Sequence, residues 1–89
     1  MGLHIPDVEV TTFLIKPGSW ADGRTLAEMA LRKKYGVTAM AVRRQGRTHP
    51  NPDGDTRLAA QDLVVVMGDP ERLIDLEGLL EKGPEARAA

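Results

Sequence analysis

A chain of 89 residues suffices for one small domain, and its 42% hydrophobic and 28% charged residues are those of a folded protein rather than a disordered one. A formal net charge of −1 gives no overall positive field to draw a nucleic acid polymer. The absence of cysteine excludes disulfides, thiol catalysis and Cys-based metal sites, and the longest apolar run, residues 63–67, is far too short to span a bilayer.

The first predicted element is a strand over residues 8–15. Val8, Val10, Thr12 and Leu14 lie on one face, and Glu9, Thr11, Phe13 and Ile15 on the other. Lys16-Pro17-Gly18-Ser19 ends it with turn formers. Thr25-Leu26-Ala27-Glu28 has the spacing of a capping box, in which the Thr hydroxyl and the Glu carboxylate satisfy each other's backbone N–H. It opens a helix with Leu26, Met29, Ala30 and Leu31 inward. Arg32, Lys33 and Lys34 complement its dipole in the last turn, and Gly36 is the left-handed stop.

Residues 37–43 read as a second strand, Gln45-Gly46 as a hairpin turn and residues 47–49 as the start of a third strand. Pro50-Asn51-Pro52-Asp53-Gly54 is a loop, because proline removes ladder donors, and residues 56–58 a short extended piece. Residues 63–67 form a continuous apolar strand of the kind buried on both faces. Asp69-Pro70 starts a last helix, with Asp as N-cap and Pro in the first position. Leu73, Ile74, Leu76, Leu79 and Leu80 make its core stripe, and Gly83-Pro84 stops it. The order is β-α-β-β-β-α in one small α/β (α+β) domain over residues 8–82. Residues 1–7 are an N-terminal extension without the basic region and long apolar stretch of a signal peptide, and residues 83–89 are a flexible tail.

Several segments in this order resemble one family. Gly23-Arg24-Thr25-Leu26-Ala27-Glu28 is similar to the G-(K/R)-T-L-x-E that opens the first helix of TrkA-C (RCK C-terminal) domains. Leu31-Arg32-Lys33-Lys34-Tyr35-Gly36-Val37 resembles the L-R-x-x-x-G-(V/A) that follows. Ala41-Val42-Arg43-Arg44-Gln45-Gly46 resembles A-(I/V)-x-R-x-G. Pro52, Asp55, Thr56 and Leu58 sit where the family has P-x-x-(D/T)-x-x-L, and Asp62-Leu63-Val64-Val65-Val66-Met67-Gly68 is similar to G-D-x-L-x-(V/L)-x-G, with Gln61 in place of the first Gly. The resemblance covers residues 8–80. It implies a cytoplasmic, dimeric domain without catalytic activity or cofactor. It implies a role in sensing a small ligand and regulating a potassium channel, uptake system or cation/proton antiporter, either directly or through a nucleotide-binding RCK subunit. The implied ligand is cyclic di-AMP or another small anion at the dimer interface, with no nucleic acid partner and no insertion into the membrane. A ligand-free dimerisation module linking transporter subunits is the alternative.

The resemblance draws the ligand to the hairpin region, where Val42, Arg43, Arg44, His49, Asn51 and Pro52 are the candidates by position. Apolar side chains there would meet a base, and guanidinium forks suit a phosphate. The competing reading leaves the arginines solvated or paired with Asp53 and Asp55. His49 with Asp53 and Asp55 matches no established metal-ligand spacing, so no metal is expected. No nucleophile elbow or His-carboxylate pairing points to catalysis. Asp62 reads as a side chain that bonds turn N–H groups and orients the following strand. Trp20, in a loop, could cover the core or anchor a partner.

Overall fold

The computed structural model describes residues 7–84. The expected N-terminal extension, apart from Asp7, and the tail beyond Pro84 lie outside them. The elements are β1 (Glu9–Leu14), α1 (Leu26–Met29), a π-helical turn (Leu31–Tyr35), β2 (Thr38–Arg44), β3 (Arg47–Pro50), β4 (Leu63–Gly68) and α2 (Pro70–Lys82). The strands form one antiparallel sheet in the order β1-β4-β2-β3.

Register decides which face is covered. Phe13 pairs with Val64, which pairs with Val42, and Thr11 pairs with Val66, which pairs with Ala39. This row faces the helices. Val42, Val64 and Val66 are buried there with Ile15, Met29, Leu31, Val37, Leu58, Leu73, Leu76, Leu79 and Leu80. The other row holds Val10, Thr12 and Leu14 opposite Met67, Val65 and Leu63, and it is open: Val10 and Leu14 are exposed. The expectation that residues 63–67 are buried on both faces is therefore corrected. Only Val64 and Val66 are fully enclosed, because both helices pack on the same side. Ile74 likewise leaves the expected core stripe of α2. It is 74% exposed, since residues 73, 76, 79 and 80 already fill the inward arc of the helix.

The capping box forms: Glu28 N–H donates to Thr25 Oγ1 at 3.1 Å, and Thr25 N–H donates to Glu28 Oε1 at 3.3 Å. The Thr25 N–H, and after it the Thr25 hydroxyl, which also donates to Glu28 Oε1 at 3.1 Å, hold the Glu28 carboxyl below its ordinary pKa. Thr25→Ala should cost about 1 kcal/mol, read as a lower urea midpoint at unchanged slope; an unmoved midpoint would mean that tertiary bonds alone hold the helix start.

The single helix expected from Thr25 to Lys34 does not form. Ala30 sits in the left-handed region (φ 49°, ψ 47°), ends α1 after four residues and starts the π-helical turn. Gly36, at φ 68°, is the stop that the sequence indicated. The Gln45-Gly46 turn has positive φ at both positions, the primed geometry that matches strand twist. Trp20 covers the core. Its backbone N–H donates to Glu81 O, its ring lies against Gly83, and the Arg24 guanidinium stacks 4.5 Å from the ring centroid.

Candidate functional site

The β2–β3 hairpin and the loop behind it carry the expected site residues, and the register distributes them over two faces. Arg43 pairs with Thr48 and donates to its Oγ1 at 2.9 Å on the open face of the sheet. Val42 pairs with His49, and both lie on the helix side. Val42 is only 2% exposed and belongs to the core, so it presents no apolar surface to a ligand. His49 and Asn51 are exposed, and Pro52 is half-buried.

Arg44 points to the helix side and is committed inside the chain. Its Nε donates to Asp62 Oδ1 at 2.8 Å and its Nη2 to Asp62 Oδ2 at 2.6 Å, a bidentate fork; Nη2 also reaches Arg57 O at 2.8 Å. Asp62 Oδ2 in turn accepts Ala59 N–H at 2.8 Å. The Arg44 bonds, joined by the one from Ala59, pull the Asp62 carboxyl below its usual range against the opposing effect of burial, and the same pair raises Arg44. The arginine partner is thus Asp62, not Asp53 or Asp55. Asp53 Oδ1 instead accepts the N–H of Asp55.

Because β3 ends at Pro50 while β2 begins at Thr38, the first residues of β2 have no strand beside them on that edge. The chain turns at Asn51, whose N–H donates to Met40 O, and the loop crosses to α1, where Ala27 N–H donates to Gly54 O. Between this loop and the π-helical turn lies a groove of ≈ 440 Å³. Asn51, Pro52 and Asp53 form one wall, Arg32 and Lys33 the other, and Leu26, Leu31, Val37 and Ala39 the floor. Asn51 and Pro52 are the two expected site residues that the groove gathers. In the sequence, Arg32 and Lys33 read only as charges that complement the helix dipole. Among the described residues, no group of three His, Asp or Glu side chains gathers to hold a metal ion, and no helix is long and apolar enough to cross a membrane.

The TrkA-C domain model matches residues 10–81, most of the chain. The protein belongs to the TrkA-C domain family. This is a family of regulatory rather than catalytic domains. Potassium channel protein 1 of Methanocaldococcus jannaschii is 29% identical over 75 residues, which are 84% of this chain and 22% of that protein. The GsuK RCK domain superposes with a TM-score of 0.72 at 28% identity, over 90% of this chain and 17% of that one. The RCK_C domain dimer of S. agalactiae BusR, solved in complex with cyclic di-AMP, has a TM-score of 0.73 at 15% identity, over 80% of this chain and 93% of that one. The last likeness concerns the fold. The TrkA-C domain described here spans about a fifth of the curated channel protein.

Proposed function

We propose that this TrkA-C domain is the ligand-sensing part of a potassium transport system, works as a homodimer in the cytoplasm and binds cyclic di-AMP or a similar small anion at the 43–52 hairpin and the groove beside it. The observation that carries the reading is the groove itself. It is concave and apolar-floored, has polar groups on its walls and is bordered by Asn51 and Pro52. Arg43 faces the other side of the sheet, so its part in the same site requires a second copy. The exposed Val8, Val10, Leu14 and Met40, around half-buried Leu63, Val65 and Met67, support such a pairing in so small a domain. The partner is a channel, transporter or antiporter, or its RCK nucleotide-binding subunit. A net charge of −1 argues against a nucleic acid polymer as the direct ligand. Ligand binding acts by favouring one dimer arrangement over another.

Calorimetric titration of cyclic di-AMP, with the mass followed by light scattering, tests this. Heat on a dimer is expected. Arg43→Ala should then weaken binding by one charged hydrogen bond, about 1.5–3 kcal/mol; unchanged affinity would remove Arg43 from the site. The commitment of Arg44 to Asp62 favours a second reading, a dimerisation module without its own ligand. No heat at high concentration from a clean dimer would select it.

A further inference from the structure

We infer that Arg32 and Lys33, on the π-helical turn, are the phosphate-binding residues of the groove, and that its ligand is a nucleotide whose base lies on the apolar floor. This rests on the ligand-sensing reading and deepens it. The groove volume of ≈ 440 Å³ falls in the range of small-molecule sites, roughly 300–1,000 Å³. The hydrocarbon that its floor presents comes from half-buried Leu26 and Ala39, with Leu31 and Val37 enclosed in the core beneath them, a surface that suits a flat base.

Charge then locates the phosphate. Lys16 is paired with Glu81, Arg44 with Asp62, and Arg57 lies beside Glu28. Arg24 is stacked on Trp20, and Arg43 is on the opposite face of the sheet. Arg32 and Lys33 are in no ion pair among the described residues, are exposed, and line the groove side by side. Asp53 is the only carboxylate on the lining, and its Oδ1 is turned onto the N–H of Asp55 in its own loop. The left-handed backbone at Ala30, itself on the lining, breaks the helix at this wall, and π-helical turns of this sort collect at functional sites.

The test compares wild type with the Arg32→Ala/Lys33→Ala double variant by cyclic di-AMP calorimetry, with Lys16→Ala/Lys82→Ala as a control that removes the same two positive charges from exposed positions outside both the groove and the hairpin. The double variant should bind at least about tenfold more weakly, since charged hydrogen bonds to phosphate are lost. Lys16→Ala/Lys82→Ala should stay within about twofold, because charges across solvent are screened. A double variant that binds like wild type overturns the inference while leaving the sensor reading intact. A wild type silent to cyclic di-AMP overturns that ligand, and the groove is then judged with AMP by amide chemical shifts. Shifts centred on residues 26–37 and 51–54, abolished in the double variant, sustain the inference; shifts elsewhere, or none, overturn it.

Discussion

Asp62→Ala should lower the unfolding free energy by about 2–4 kcal/mol, a large share of the roughly 5–15 kcal/mol that holds a domain together. The carboxylate is 2% exposed and accepts three hydrogen bonds, two from Arg44 and one from Ala59. Removing it strands the Ala59 N–H and leaves Arg44 without its counter-charge. The lower part of the range for a fully buried pair applies, because the Arg44 side chain is 43% exposed and water recovers some of the loss. Arg44→Ala should cost a similar amount by stranding the carboxylate. Urea unfolding of the two single variants and the double variant isolates the coupling, which should exceed 1 kcal/mol; additive losses would mean that the fork is a surface contact of little weight.

The same pair sets a pH dependence. Arg44 and Ala59 hold the folded carboxyl below its unfolded value near 3.9. A depressed carboxylate binds fewer protons folded than unfolded. Its stabilisation is therefore complete above the unfolded value and is lost as the pH falls through the folded one. Asp62→Ala should flatten the acid limb of the stability curve in that window. Arg44 in consequence serves the fold before any ligand, and the unpaired cations at the groove are the better ones to substitute when binding is the question.

Local chemistry explains what was legible in the sequence. The Thr25–Glu28 box, the Gln45-Gly46 turn, Gly36 as a left-handed stop and Asp69-Pro70 at the start of α2 each express a backbone need met by neighbours a few residues away. Contacts distant in the chain were less legible. Nothing at Ala30 marks a helix break, since neither Gly nor Pro stands there; the loop bonds Leu26 N–H to Thr56 O and Ala27 N–H to Gly54 O fix α1 from outside. The two-sided burial expected for β4 failed for a similar reason, because apolar content cannot say on which side the helices pack. For the candidate site, sequence position marks the hairpin only as a place of charge. Strand register alone separates Arg43 from Arg44, and only the tertiary path of the 51–54 loop sets Asn51 and Pro52 across from Arg32 and Lys33.

That loop is the target of the other large effect. Leu58→Ala should destabilise the domain by about 2–5 kcal/mol, the cost of an unfilled cavity in a core that cannot collapse onto it. Leu58 is 0% exposed and anchors the irregular segment between β3 and β4. Its N–H donates to Arg24 O at 2.9 Å, and its carbonyl accepts Gly23 N–H at 2.8 Å; further along, Thr56 O and Gly54 O take the N–H groups of Leu26 and Ala27. One side chain thus seats the whole strap that forms a wall of the groove. Thermal unfolding should drop by at least about 8 °C, at 4–8 °C per kcal/mol for a domain of this size. Amide exchange of Gly23, Leu26 and Ala27 should accelerate more than that of the β4 amides if the strap loosens ahead of the sheet. Ile74→Ala, at a 74% exposed leucine-sized side chain, should change stability by no more than about 0.5 kcal/mol. If Leu58→Ala were as mild as Ile74→Ala, the strap would be held by its backbone bonds alone, and the groove wall would not depend on the core beneath it.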